Sequence, residues 1–401
     1  PAPRAAEENP VDEVLRDIRG REAFQQPHWP DREEAERVGD VLAAGPGLVR
    51  AEDIRVLRAA LARVVAGEAV VIQAGDCAED PAERTRTDVS RKVALLDVLA
   101  GTLRMNAHKP VIRAGRIGGQ FAKPRSAGTE LVGGVQLPVF RGHMVNRPEP
   151  DPEARRLDPR RMLGCAEAAK DVLGHLGWQS GSAPRDPLGP PVWTSHEALL
   201  LDYELPMLRR DEQGRLYLGS THWPWIGERT RQVDGAHVTL LARVSNPVAC
   251  KVGPTMEPDE LLALCERLDA AREPGRLSLI ARMGADLVAE RLPGLVEAVR
   301  GAGHPVLWLT DPMHGNTVRA PDGNKTRRVR DVEREVRLFQ EAVAAAGGVC
   351  GGLHLETTPD HVTECVGDDA ALDHVGDKYL TFCDPRLNPD QAVSVVSNWN
   401  T

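Results

Sequence analysis

The sequence predicts an α/β chain folded as a closed (β/α)8 barrel, a TIM barrel, with an N-terminal helical extension over residues 1–68 and a catalytic barrel over 69–401. Three observations predict it. Eight short apolar runs, each ending in polar residues, recur from residue 69 onward. Amphipathic stretches of helical period separate several of them, and repeated strand–helix alternation implies a parallel sheet, which eight units close into a barrel. No G-x-G-x-x-G pattern follows the first run, which argues against an open dinucleotide-binding sheet.

The extension reads as helices in VDEVLRDIRGREA and EDIRVLRAALARVVAG, separated by the breakers QQPHWPD and AAGPG. The strands are AVVIQAGDC (69–77), PVIRAGR (110–116), PVWTSHE (191–197), THWPWIGER (221–229), PVACKVGP (247–254), LSLIARMG (277–284), PVLWLTDPMHG (305–315) and GGLHLETT (351–358). The fourth is the weakest, because Pro224 lacks the donor that a ladder needs. Helices are expected at 258–271, 288–303 and 331–348, each ending near Gly. Residues 147–190, rich in Pro, Arg and Gly, form an expected insertion between strands two and three, with one helix at 158–176.

Composition narrows the function classes. The 401 residues carry 50 Lys+Arg against 59 Asp+Glu, a net charge of −9, so no nucleic-acid partner is expected. No apolar run is long enough to span a bilayer, and PAPRAAEENP has no basic or apolar leader character, so the expected location is the cytoplasm. Seven cysteines without a CxxC pair suggest neither a disulfide framework nor a zinc ribbon.

Chemistry concentrates at strand ends. Cys77, Arg116, Lys251, Arg282, His314 and Glu356 each lie at or just after the end of a proposed strand. In a (β/α)8 barrel those ends share one face, where active sites are built. Singly, a strand-end His is ordinarily a satisfied polar group and a lone Cys a buried hydrophobe. Jointly, Cys77, His314, Glu356 and Asp384 make a mixed S/N/O set suited to a divalent transition metal. A second set, Arg116, Lys123, Arg125, Arg229, Lys251 and Arg282, implies a polyanionic substrate. GQFAKPRS places Lys123, Arg125 and Ser126 around the rigid Pro124 as a phosphate cradle, whereas KTRRVR (325–330) reads as a solvated loop leading into a helix. The residues alone point to a metal-dependent lyase or transferase acting on sugar phosphates.

QAGDCAED, GRIGGQFAKPRS, RGHMVN, TSHEALLLDYE, WIGERTRQVDGAH, KVGPTM, ARMGAD, DPMHGNT, HLETTPDHVTEC and CDPRLN occur in this order between about residues 71 and 390. In these motifs the chain resembles type II 3-deoxy-D-arabino-heptulosonate 7-phosphate (DAHP) synthases, above all short members from phenazine and other aromatic secondary pathways. The resemblance implies condensation of phosphoenolpyruvate, D-erythrose 4-phosphate and water to DAHP and phosphate, at the entry to the shikimate pathway. It implies Mn²⁺ or Co²⁺ on Cys77, His314, Glu356 and Asp384, and phosphoenolpyruvate on Arg116, Glu228, Arg229, Lys251 and Arg282. It assigns Lys123, Pro124, Arg125 and Ser126 to the tetrose phosphate, and a homo-oligomer, dimer or tetramer, is expected. Lys251, Glu228 and His314 are the candidates for handling the proton of the attacking water.

His143 stands in RGHMVN where the family pattern leads one to expect Asp. An aminated tetrose as second substrate, giving aminoDAHP, is therefore an alternative, as is an inactive regulatory homologue. The expected stretch after RGHMVN has no room for a second inserted helix pair, so no feedback inhibition by aromatic amino acids is expected.

Overall fold

The computed structural model describes residues 10–132, 134–178 and 189–400. Its centre is a closed barrel of eight parallel strands: β1 (Val70–Gly75), β2 (Val111–Arg116), β3 (Val192–Glu197), β4 (Trp223–Ile226), β5 (Val248–Val252), β6 (Leu277–Ala281), β7 (Leu307–Thr310) and β8 (Cys350–Glu356). All eight predicted runs become barrel strands, paired in chain order, with β8 closing on β1. Both faces of the strands are covered, so every residue of β3 to β7 is buried, and the polar ones among them must find partners inside the barrel. Pro224 sits inside β4, which is only four residues long, and the ladder continues on both sides through Glu197–Trp225 and Trp225–Ala249.

The extension holds α1 (Pro10–Arg19), α2 (Arg32–Ala44) and α3 (Ala51–Val65). The middle helix lies in the piece that sequence periodicity left unassigned; Asp31 caps it by accepting from the Glu34 backbone N–H. Around the barrel follow α4 (Arg86–Ala107), α5 (Arg161–His175), α6 (Ala236–Arg243), α7 (Pro258–Leu268), α8 (Val288–Gly301), α9 (Val329–Ala345) and α10 (Pro389–Val396). Helices α7, α8 and α9 fall within a few residues of the expected spans, and α5 is the one helix foreseen in the 147–190 insertion. Part of that insertion, QSGSAPRDPL, lies outside the described residues.

Three short antiparallel hairpins escaped the sequence reading: 129–138, 208–218 and 317–327. Their strands are three or four residues long, too short for a period to register. The last one overturns an expectation. KTRRVR is not a solvated loop: Arg327 is fully buried and Thr326 with it, because the hairpin folds down onto the barrel mouth.

Inside the barrel a polar chain rises toward that mouth. Ser195 accepts from Gln73 Nε2 (2.7 Å), and Gln73 Oε1 accepts from His354 Nδ1 (2.6 Å). His354 Nε2 then accepts from Arg116 (2.7 Å). The chain fixes the histidine tautomer, and burial beside Arg116 and Lys251 holds His354 neutral, its pKa well below the usual imidazole range.

Candidate active site

Strand register places the first groups. Gly75 pairs with Glu356 on one side and Arg116 on the other, so the last residues of β8, β1 and β2 form one rim layer. Glu356 is completely buried there. Its carboxylate accepts from Arg116 (3.0 Å) and Arg327 (2.9 Å), with Lys123 Nζ at 3.7 Å and His314 Nε2 at 3.3 Å. Desolvation would raise its pKa, but these cations outweigh it and hold the carboxyl well below the usual range. Asp384, in the loop after β8, faces the same point, 3.9 Å from His314, 3.5 Å from Lys123 and 2.9 Å from Lys325.

His314, Glu356 and Asp384 offer ligand atoms that all lie within 4.8 Å of one another. The donor set fits a divalent cation, and its orientation does too. Asp311 accepts from His314 Nδ1 at 2.7 Å, which leaves the Nε2 lone pair facing the two carboxylates. Cys77, the fourth predicted ligand, is buried at the same rim but stands outside this cluster, with its Sγ 3.1 Å from Thr381 Oγ1. Burial pushes its thiol pKa up, while the Lys123 ammonium pulls the other way.

Two cavities meet at the cluster. The inner one, about 240 Å³, is lined by Arg116, Gln120, Glu197, Trp225, Glu228 and Lys251. The outer one, about 210 Å³, is lined by Arg125, Ser126, Thr317, Lys325 and Cys383. Lys123, Pro124, Arg229, Arg282, His314 and Asp384 border both. The structure thus brings together every residue that the sequence singled out for anion binding. Arg229 donates to Ser126 Oγ (2.7 Å), while Gln25 of the N-terminal extension accepts from the Arg125 backbone N–H (2.8 Å).

Lys251 stands on the floor of the inner cavity against Asp311, with its ammonium 6.0 Å from the Trp225 ring centroid. Burial brings its pKa down to about 8 despite the pull of Asp311. Glu228, a carboxylate among anion-binding groups, is turned aside. Its Oε1 accepts from Arg231 (3.0 Å), and Oε2 lies 3.9 Å from Arg282. His143, the departure from the family pattern, packs its ring between Phe140 and Phe382 and borders neither cavity.

Several functional carboxylates and one cation went unpredicted. Asp311 ties Lys251 to His314, and Arg327 balances Glu356. Glu79 accepts from three successive backbone N–H groups, those of Gly118 (2.9 Å), Gly119 (2.8 Å) and Gln120 (2.7 Å), and so shapes the loop that carries Lys123. Glu335 on α9 accepts from Met283 N (3.1 Å), Gly284 N (2.9 Å) and Asn316 Nδ2 (2.6 Å). It thereby joins the Arg282 loop to the His314 loop. A signal existed for Glu335: it lies on the apolar stripe Val332–Val336–Phe339, where a carboxylate must be buried and bonded.

These two loops touch backbone to backbone. A Cβ on Gly315 would lie 2.2 Å from Gly284 N and 2.4 Å from its Cα. Gly315→Ala must therefore separate the strands' ends that carry His314 and Arg282. It is expected to lower kcat by at least about 100-fold, since misplacing such groups by about 1 Å carries that cost; steady-state kinetics with a thermal-melt control checks it.

A (β/α)8 barrel that sets a His–Glu–Asp cluster between two Lys- and Arg-lined cavities at its C-terminal mouth defines a metal-dependent barrel enzyme for anionic substrates. The chain matches the class-II DAHP synthetase family over residues 14–186 and 188–398, and it belongs to that family. It is 58% identical over 389 residues to a probable phospho-2-dehydro-3-deoxyheptonate aldolase of Pseudomonas fluorescens, covering 97% of each chain. It is 40% identical over 421 residues to the phospho-2-dehydro-3-deoxyheptonate aldolase of Streptomyces coelicolor, covering 93% of this chain and 94% of that one. The solved phospho-2-dehydro-3-deoxyheptonate aldolase of Francisella tularensis shares the fold, with a TM-score of 0.51 at 14% identity over 98% and 97% of the two chains. The chain is thus a DAHP synthase, in a family whose members use a divalent metal, and the His314–Glu356–Asp384 cluster is its candidate site.

Proposed function

We propose that phosphoenolpyruvate occupies the inner cavity and erythrose 4-phosphate the outer one, with the reacting carbons meeting beside the His314–Glu356–Asp384 cluster. The observation that carries this reading is the junction itself: two cation-lined cavities share one border, and the metal-type donors stand on it. Arg116, Arg229, Lys251 and Arg282 hold the phosphate and carboxylate of phosphoenolpyruvate; Lys123, Arg125 and Ser126, braced by Pro124, hold the tetrose phosphate. His314, Glu356 and Asp384 would hold Mn²⁺ or Co²⁺, and Cys77, buried at the same rim, would join them as a fourth ligand once its Sγ leaves Thr381 Oγ1; the ion would supply Lewis acidity toward the aldehyde oxygen.

The chain's own groups do the rest. The cations of the inner cavity hold phosphoenolpyruvate with C3 toward the junction, and C3 attacks the aldehyde carbon. C2 becomes electron-deficient and takes water, and phosphate leaves by C–O cleavage. Lys251 and the arginines stabilise the migrating negative charge. Glu228 acts at a distance by neutralising Arg231 and orienting Arg282. His143 packs against Phe140 and Phe382 and borders neither cavity, which supports erythrose 4-phosphate over an aminated tetrose as second substrate.

The enzyme acts in the cytoplasm as a homo-oligomer, serves a secondary pathway and escapes feedback control by aromatic amino acids. Among the described residues the insertion between β2 and β3 holds a single helix of eight residues or more, α5, which supports that reading. Among the described residues, also, no helix is long and apolar enough to cross a membrane.

Phosphate release from phosphoenolpyruvate, erythrose 4-phosphate and Mn²⁺ tests the whole reading. Release is expected only with both substrates, is lost in excess EDTA, returns with Mn²⁺ or Co²⁺, and is unchanged by millimolar Phe, Tyr or Trp. Turnover in EDTA by protein shown to be metal-free would overturn the metal assignment, and inhibition by any of the three amino acids would overturn the absence of control.

A further inference from the structure

Resting on the placement of phosphoenolpyruvate above, we propose that Glu335 and Asn316 form a positioning clasp that makes the metal-binding loop and the phosphoenolpyruvate-binding loop one unit, so that breaking it weakens both ligands together. The ladder between β6 and β7 ends at Ala281–Thr310, and Asp311 N donates to Ala281 O (2.7 Å) as its last rung. Arg282 and His314 lie beyond that point, on the loops 282–285 and 311–316. There three successive backbone donors are met by side chains. Glu335 Oε1 accepts from Met283 N (3.1 Å) and Gly284 N (2.9 Å), and Asn316 Oδ1 accepts from Ala285 N (3.0 Å). Asn316 Nδ2 closes the clasp by donating to Glu335 Oε2 (2.6 Å) and to Pro312 O (2.8 Å). Gly284, at φ +86°, has the left-handed backbone that turns successive N–H groups toward one anion.

The bonding specifies the residue types. All three partners of Glu335 are donors, so both of its oxygens must accept, which a carboxylate does and an amide does not. Asn316 must accept from Ala285 and donate to Glu335 and Pro312 at once, which its amide does and a carboxylate does not. Glu335 is fully buried on the apolar stripe of α9, where an ionised group is costly unless hydrogen bonds offset it. It borders neither cavity, so it acts on the reaction only through what it holds. What it holds does border them: Arg282 and His314 line both cavities, and Arg282 Nη2 lies 3.4 Å from His314 O.

Two sites held by one clasp share its loss. Arg282 meets an anionic group of phosphoenolpyruvate, and His314 turns Nε2 toward Glu356 and Asp384. Freeing the two loops therefore displaces one group from each site. The tetrose-phosphate side is held separately: Lys123, Arg125 and Ser126 follow the turn that Glu79 shapes through the N–H groups of Gly118, Gly119 and Gln120. The clasp thus carries a selective signature, in which metal and phosphoenolpyruvate are weakened together and the tetrose phosphate is spared. A general loosening of the barrel would weaken all three.

Glu335→Gln sets an amide N–H group against donors, whereas Glu335→Gln combined with Asn316→Asp reverses the bridging bond, the new amide donating to the new carboxylate. In Glu335→Gln, Co²⁺ affinity, titrated through the visible absorption of the bound ion, is expected to fall by about 10–100-fold, the scale for an outer partner of a metal ligand. Phosphoenolpyruvate affinity, read by calorimetry, should fall by about tenfold, the scale for one charged hydrogen bond. The KM for erythrose 4-phosphate, at saturating metal and phosphoenolpyruvate, should stay within about twofold, as for an independent site. The double variant should recover most of both affinities. Asn316→Asp alone, which opposes two carboxylates, should bind both ligands more weakly than the double variant; equal or tighter binding would make added charge the cause and overturn the proposal. Asn316→Ala removes the bridge but leaves Glu335 its two backbone bonds, and it too should weaken both ligands, which keeps the test open where Glu335→Gln does not fold. Arg282→Ala, run alongside, tests the substrate placement separately: unchanged phosphoenolpyruvate binding there refutes the placement, while the Co²⁺ titration still decides the clasp. Unchanged Co²⁺ affinity in folded Glu335→Gln or Asn316→Ala, or no recovery in the double variant, overturns the proposal.

Discussion

Glu356→Ala is expected to abolish turnover and to destabilise the fold, the largest effect of any single side chain in this site. The carboxylate is fully buried and balances Arg116, Arg327 and Lys123, besides facing His314. Removing it leaves two buried guanidiniums and an ammonium around a void, with Asp384, 3.5 Å from Lys123, as the remaining carboxylate of the His–Glu–Asp cluster. Breaking a buried ion pair from one side costs about 3–5 kcal/mol, mostly as the penalty on the charge left behind. Denaturant unfolding of metal-free protein should show a loss of that size. Glu356→Gln, which keeps the volume and one acceptor oxygen, should lose less stability but still lower activity by at least about 100-fold, since even the outer partners of a metal ligand cost about 10–100-fold. An alanine variant that keeps a tenth of wild-type phosphate release would remove Glu356 from the site's machinery.

The strands were legible because each is four to seven residues long, opens on an apolar residue and has a polar residue within two positions of its end, the pattern of a strand covered on both faces whose end reaches the barrel mouth. The site was legible where chemistry falls at a strand end: Arg116, Lys251, Arg282 and Glu356 all do. What the sequence hid has a common cause. Asp311, Glu79 and Glu335 act by accepting backbone N–H groups or by holding another side chain, and such partners are set by loop geometry that no period encodes. Arg327 was misread for the same reason. In KTRRVR it is indistinguishable from its neighbours Arg328 and Arg330, which lie at the surface and pair with Asp369, and only the 317–327 hairpin turns it inward. Cys77 shows the converse. Its place at the rim was foreseen, but its Sγ engages Thr381 and stands apart from the three clustered donors.

Lys251→Met is expected to lower kcat/KM for phosphoenolpyruvate by about 100- to 1000-fold, the scale for losing one charged group that stabilises developing negative charge. The accompanying pH dependence separates this lysine from the arginines. An arginine stays charged across the accessible range, whereas Lys251 titrates at about 8 in the free protein, driven down by burial. Below that pH the ammonium is present and can hold the substrate anion. Above it the free enzyme loses the charge, so kcat/KM for phosphoenolpyruvate should fall with rising pH, by up to about tenfold per pH unit. Bound substrate adds negative charge beside the ammonium and raises its pKa, so the same limb should be weaker, or displaced upward, in kcat itself. Lys251→Met should lack the limb in kcat/KM and show a flat profile through pH 8–9.5 at its reduced level, while Arg282→Ala should be as slow yet keep the limb. Because Asp311 also holds His314, metal affinity in the Met variant must be measured alongside; unchanged affinity assigns the loss to the missing ammonium. A wild-type profile flat across this range, or a limb that survives in Lys251→Met, would place the titrating group elsewhere.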